Sequence, residues 1–244
     1  MDFDDLETKL RDGVKMMILC SPHNPVGRVW TAEELLRVTE LCSKYGVLII
    51  SDEIHSDLIY KSYRHIPIAS LPGTASGNII TCVSPTKTFN MAGLVSSFAI
   101  IPDRKMKKLF EEELERTGAG MNNIFGMIGG EAAFRYSEGW LEDLLVYLQE
   151  NLDLVLQFFE ERVRSIRVFK PESTYLVWMD CRELGMDVPA LKEFFIHQAG
   201  VGLNEGTTFG IDGTGFMRMN IACPRPVLLE GLTRIESAID MMSV

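Results

Sequence analysis

The 244-residue sequence has no long apolar run, no paired-cysteine motif and no excess of basic residues. A helix needs about 20 consecutive apolar residues to cross a bilayer, and no stretch here supplies them, so a membrane partner is not expected. The N-terminus, MDFDDLETKL, is acidic and lacks the basic-then-apolar order of a secretion signal. The cysteines, Cys20, Cys42, Cys82, Cys181 and Cys223, are odd in number and scattered. Such spacing forms neither a zinc site nor a redox dithiol, and it suits reduced thiols in a cytoplasmic protein. Lysine and arginine total 24 against 34 acidic residues, a net charge of -10 that repels a polyphosphate and argues against nucleic acid. There is no internal repeat and no low-complexity linker.

What is present is an ordinary folding composition, 46% hydrophobic and 24% charged, in a chain long enough for one large domain and one smaller. The first half alternates strand and helix. Lys15 to Cys20 (KMMILC) is a strand running into the turn SPHNPVG. Thr31 to Tyr45 is a helix: Thr31 and Glu34 form a capping box, Leu35, Val38, Leu41 and Cys42 recur at helical spacing, and Gly46 ends it. VLII at Val47 to Ile50, IITCV at Ile79 to Val83 and SFAII at Ser97 to Ile101 are further strands. Continuous apolar strands separated by helices predict a mostly parallel sheet covered on both faces. Gly139 to Arg164 reads as a long amphipathic linking helix. Strands at Tyr175 to Asp180 and Met217 to Ile221 follow, with a helix capped by Asp187 between them and a last helix over Pro226 to Met241. The expected division is a large domain over 1–138, a linking helix over 139–165 and a small α+β domain over 166–244.

In an open parallel sheet, chemistry gathers beyond the carboxyl ends of the strands. Asn24, Asp52 and the segment from Ser84 to Lys87 each follow a strand. Lys87, between two threonines, is either a surface lysine or a reactive amine. Asp52, ending VLIISD, can hold a ring N–H⁺ by a charge-assisted hydrogen bond or can cap a helix. Asn24 can donate to an oxyanion or stabilise its turn. Ser84 and Thr86 offer hydroxyls and backbone N–H groups to a phosphate. Arg218, on the apolar strand FMRMN, implies a buried anionic partner, either a substrate carboxylate or a structural acid. No residue set suggests a metal.

The ordered set SPHNPVG, SDEIHSD, SPTKTFN and FMRMN resembles class I/II aminotransferase-type enzymes of fold type I, which use pyridoxal 5′-phosphate (PLP). DEIHSD, KTFNMAG and STYLVW bring it nearest to the MalY-type cystathionine β-lyases, which cleave carbon–sulfur bonds. The resemblance runs through essentially the whole chain. It implies an α/β fold: part of the PLP-transferase large domain, with a mostly parallel sheet flanked by helices, then the small domain.

It also implies roles. Lys87 forms the Schiff base with PLP and then serves as the base at the substrate's Cα. Asp52 pairs with the pyridinium nitrogen, Asn24 donates to the cofactor's 3′ oxygen, and Ser84 and Thr86 contact its phosphate. Arg218, with Asn24 beside it, grips the carboxylate of a small amino-acid substrate. His55 stands where many aminotransferases carry a tyrosine, so it lies near the ring or serves as a structural histidine. Many aminotransferases place an arginine eight residues after the Schiff-base lysine; here that position is Val95, a gap shared by the MalY-type lyases. The implied reaction is β-elimination from a sulfur amino acid to a thiol, pyruvate and ammonia. The alternatives are amino transfer and a catalytically inert chain. Family members begin further upstream, with an arm, a glycine-containing phosphate turn and an aromatic that stacks on the ring, so the resemblance also implies N-terminal truncation. They usually act as homodimers.

Overall fold

The computed structural model describes residues 1–72, 77–120 and 123–242, and these divide into two compact units. The first comprises Met1–His23 and Val29–Glu142; the second comprises Asn24–Arg28 and Asp143–Val244.

The first unit opens with α1 (Phe3–Arg11), started by the Asp2 carboxylate, which accepts from the backbone N–H groups of Asp4 and Asp5. Next come β1 (Met16–Cys20), α2 (Ala32–Lys44) and β2 (Leu48–Asp52). Both halves of the predicted capping box are formed at α2: Thr31 accepts from the Glu34 N–H, and Glu34 accepts from the Thr31 N–H. After β3 (Ile79–Val83) the chain makes the short helix α3 (Pro85–Thr88), then β4 (Phe98–Ile100), α4 (Arg104–Thr117) and α5 (Ile124–Tyr136). The sheet order is β1-β2-β3-β4, parallel throughout except for the antiparallel β3–β4 pair. In register, Cys20 lies beside Asp52 and Asp52 beside Cys82, so three strands end together at one edge of the sheet.

One face of this sheet is closed. Leu19, Ile49 and Ile79 form a core with Leu10 and with Leu35, Val38, Leu41 and Cys42 of α2. Each such side chain contributes roughly 1.5–3 kcal/mol when fully buried. The alternating residues of β1 tell a different story, for Met16 is 51% exposed and Ile18 67%. Cover on both faces therefore holds only in part: at β1 the second face is open. Among the described residues no helix is long and apolar enough to span a membrane.

The long helix α6 (Glu138–Arg162) carries the chain into the second unit. There β5 (Arg167–Phe169), β6 (Leu176–Asp180), α7 (Val188–Glu193), β7 (Asn204–Glu205), β8 (Phe216–Asn220) and α8 (Arg225–Met242) follow. The Asp187 side chain caps α7 by accepting from Ala190 N–H, and α7 runs into a π-helical turn over Phe194–Gln198. The sheet is antiparallel, in the order β5-β6-β8-β7. One side of it, with Val177, Met179, Met217 and Met219, is buried, as are Leu148, Leu152, Val155 and Phe159 of α6 and Leu232 and Ile235 of α8. Asn151, fully buried on α6, donates to the Ile221 carbonyl (2.9 Å) and accepts from Arg225 Nε (3.0 Å), so its amide is satisfied within the core. On the opposite side of the sheet, the register sets Phe169, Trp178, Arg218 and Asn204 side by side in one row.

Candidate active site

Each unit carries one part of the predicted residue set. In the first unit, Asp52 and Glu53 are adjacent acids at the end of β2 with opposite circumstances. Glu53 is 2% exposed and fully engaged: it accepts from Ser51 Oγ (2.8 Å) and Ile68 N–H (3.2 Å), and it pairs with His65 Nε2 (2.8 Å). Asp52 is half-buried, accepts one long bond from Ile54 N–H (3.3 Å), and forms no ion pair among the described residues. Its charge, after burial, helps push the neighbouring Cys82 thiol above its ordinary pKa. Burying a carboxylate without a cation is unfavourable, so Asp52 is a group in need of a partner.

Lys87 lies on α3, where the chain leaves β3. Pro85 opens that helix and Ser84 caps it, its Oγ accepting from the Thr86 N–H at 3.1 Å. Thr88, at the other end, donates to Asp57 (2.9 Å) and ties the helix to the segment after β2. Lys87 is half-buried and has no ion pair among the described residues. The hydroxyls of Ser84 and Thr86 lie 2.6 Å apart, and Ser84 Oγ also donates to the Ser96 carbonyl at 2.6 Å. Ser84 has only one proton, so Thr86 donates to Ser84 in this arrangement. A phosphate reaching these groups takes up the Thr86 hydroxyl only after that hydroxyl rotates. His55 is 3% exposed, a buried ring near the strand ends. Val95 adopts a left-handed conformation (φ 48°) and is 81% exposed, rare for a β-branched residue.

In the second unit, Arg218 and Asn24 meet. Arg218 Nη1 donates to Asn24 Oδ1 at 2.9 Å. A guanidinium only donates, so this bond fixes the orientation of the Asn24 amide and leaves Nδ2 as a free-facing donor. The Asn24 turn is locked from behind. The Gly27 carbonyl accepts from Glu172 N–H (2.8 Å) and Ser173 Oγ (3.0 Å). Gly27 sits at φ +70°, where a Cβ would come within 2.4 Å of Pro171 Cβ, so only glycine fits the lock.

Arg218 has two further neighbours that sequence reasoning did not identify. Its Nη2 donates to Asn204 Oδ1 at 2.7 Å, and its guanidinium stands 4.6 Å from the centre of the Phe209 ring. The buried Nε has no protein partner, and no carboxylate pairs with the group among the described residues. Burial lowers its pKa from the ordinary arginine value, opposed by the Tyr175 hydroxyl, and the group stays cationic. Of the two partners that an arginine on an apolar strand implies, the structural acid is absent. In the second unit the Arg218 guanidinium can receive an anion, and in the first unit Asp52 and Lys87 have no ion-pair partner among the described residues. No described group of histidine, cysteine and acidic side chains could hold a metal ion.

Residues 1–235 match the family Aminotransferase class I and II. The chain belongs to that family. Among its class I/II relatives, cystathionine beta-lyase PatB of Bacillus subtilis (strain 168) is 41% identical over 98% of this chain and 62% of its own length. Protein MalY of Escherichia coli (strain K12) is 35% identical over 98% of this chain and 61% of its own length. The chain thus spans about three fifths of the length of these relatives. An aspartate aminotransferase of Pyrococcus horikoshii is more distant, at 27% identity. Among solved structures, cystalysin from Treponema denticola, which contains a pyridoxal 5′-phosphate cofactor, superposes with a TM-score of 0.92. Its identity is 35%, over 99% of this chain and 62% of that one. The PLP-bound C-S lyase from Staphylococcus hominis gives a TM-score of 0.89 at 34% identity, over 98% of this chain and 62% of that one. The fold is therefore that of the PLP-dependent enzymes of fold type I, and the lyases among these relatives are more similar to this chain than the aminotransferase is.

Proposed function

We propose that the protein built on this chain is a PLP-dependent carbon–sulfur β-lyase, which converts a sulfur amino acid of the cystathionine type to a thiol, pyruvate and ammonia. The observation that carries the reading is the trio of half-buried, unpaired charges, Asp52, Lys87 and Arg218, in a chain 41% identical to a cystathionine beta-lyase.

When bound, PLP supplies an electron sink for the pair left as the substrate's Cα–H bond breaks. The chain's own residues do the rest. Lys87 would hold the cofactor through its Nζ and would also serve as the base that takes the proton from Cα. Asp52 would accept the hydrogen bond of the ring N–H⁺ and keep that proton in place. Asn24 Nδ2 would donate to the 3′ oxygen. Ser84 and Thr86 would face the phosphate, and buried His55 would lie near the ring. Arg218 would receive the α-carboxylate, two parallel N–H donors matching two oxygens. Loss of the Cβ–S pair to the departing thiolate then balances the proton removed, and hydrolysis of the remaining enamine gives pyruvate and ammonia.

The working protein would be a cytoplasmic homodimer. Supporting this, the five cysteines are free thiols, and α5 turns Ile124, Phe125 and Ile128 outward at 61%, 71% and 61% exposure. Light scattering gives the stoichiometry directly.

The decisive test adds PLP to the purified chain and records its absorbance before and after borohydride, with Lys87→Ala alongside. A visible band that borohydride fixes as a mass adduct on Lys87, and that the variant lacks, is expected. A folded sample with no band would mean that the contacts within this chain do not hold PLP by themselves, and that the chain is an incomplete site. Pyruvate release from cystathionine without any keto acid separates lyase from aminotransferase.

A further inference from the structure

The neighbours of Arg218 raise a question of chemistry. Two of its five N–H donors go to Asn24 and Asn204, both through neutral amide oxygens. Asn204 lies directly opposite Arg218 in the β7–β8 register, close enough for a 2.7 Å bond. An aspartate there would accept the same hydrogen bond with the same shape and add an ion pair. The sequence carries the amide, and the guanidinium keeps its full charge, with Phe209 beneath it and Nε buried without a partner.

We propose that Asn204 is a positioning residue that aims the Arg218 guanidinium while leaving its charge for an incoming carboxylate. It acts through Arg218 and touches neither cofactor nor reacting atoms. Asn24 and Asn204 hold two corners of the guanidinium, Phe209 covers one face, and the remaining N–H groups form the receiving edge. The inference rests on the reading that Arg218 binds a substrate carboxylate, and it names the residue that tunes that affinity.

The test uses the cofactor-free 244-residue chain and sodium propionate as the probe. The Arg218 Nε–H resonance, assigned with Arg218→Lys, is followed during titration at low ionic strength. Asn204→Asp should weaken propionate about fivefold, the worth of an ion pair at a partly exposed site, with no loss of thermal stability. Asn204→Ser, which stays neutral, should bind within about twofold of the unsubstituted chain because no competing charge is present. In the PLP-loaded protein, Asn204→Asp should raise KM by the same factor with kcat little changed. A merely structural asparagine predicts the reverse order, with the isosteric aspartate tolerated better than serine. Equal affinities for the unsubstituted chain and Asn204→Asp overturn the inference alone. An Arg218 resonance indifferent to propionate overturns both the inference and the carboxylate reading, whatever the borohydride experiment gives.

Discussion

Truncating Asp52 and Glu53 in turn should give opposite results, although the two acids are adjacent. Glu53→Ala removes a buried carboxylate that satisfies Ser51 Oγ, Ile68 N–H and His65 Nε2. Removing one member of a buried, hydrogen-bonded set costs about 3–5 kcal/mol, because the remaining groups are left without partners. For a chain of this length that lowers the melting midpoint by roughly 6–20 °C. Asp52→Ala removes one 3.3 Å bond from Ile54 N–H and a half-buried charge with no counterion. The first loss is worth about 1 kcal/mol at most, and relief of the desolvated charge offsets it. The apo variant should therefore melt within about 3 °C of the unsubstituted protein. Urea unfolding followed by circular dichroism, read at unchanged slope, gives both values. With PLP present the order inverts: Asp52→Ala should lose the visible band, and any Glu53→Ala that remains folded should keep it. Equal destabilisation by the two truncations would refute the reasoning, since it would mean that Asp52 is held in the fold by interactions the structure does not contain.

Gly27→Ala should destabilise by about 2–5 kcal/mol, the sum of a left-handed backbone penalty and overpacking against Pro171. It should also shift the Asn24 side-chain amide resonance, because the turn that presents Asn24 cannot keep its seat. The thiols set an alkaline limit. Burial pushes Cys42 up to about 11 and Cys181 up to about 12. The unfolded chain therefore releases these protons first. Stability is fully present below the ordinary thiol pKa of about 9 and falls as pH rises through 11 and 12. The slope contributed is up to about 1.4 kcal/mol per pH unit for each group. Guanidinium unfolding between pH 8 and 11 should show this fall, and Cys42→Ser with Cys181→Ser should flatten it relative to their own pH 8 values.

The elements that announced themselves in the sequence did so through short-range rules. The α2 capping box needs only Thr31 and Glu34 with their own backbone, and both of its bonds form. Asp187 is likewise a local cap, and β3 begins and ends where its apolar run does. The family resemblance singles out Asp52 of SDE, but local sequence rules do not show what Glu53 does. Which of the two acids is consumed by structure depends on His65 and Ile68, brought to β2 by a loop. Asn204 and Phe209 were invisible for the same reason. A lone asparagine before an irregular segment has no periodicity, and its relation to Arg218 exists only once β7 and β8 are paired in register. The run MMILC does not by itself show which of its faces is open; the exposure of Met16 and Ile18 does.

Pairing is the feature that sorts this chain's charges into two classes. Glu53, Asp57 and Asp180 each have hydrogen-bonded partners that fix a segment: His65 and Ile68 for Glu53, Thr88 for Asp57, Arg182 for Asp180. Such groups gain little from any ligand, since their hydrogen-bonding capacity is already used. Asp52, Lys87 and Arg218 are different. Each is half-buried, each lies at or next to a strand, and none has an opposite charge. Leaving a partly desolvated charge unmatched is unfavourable to the folded state, and at Arg218 burial lowers the pKa accordingly. Proteins retain such penalties where binding removes them, so the same terms that reduce stability in the free chain become affinity when a ligand of matching charge arrives. On the proposed reading, a substrate carboxylate would relieve Arg218 in the second unit, and the cofactor's ring nitrogen and aldehyde would engage Asp52 and Lys87 in the first.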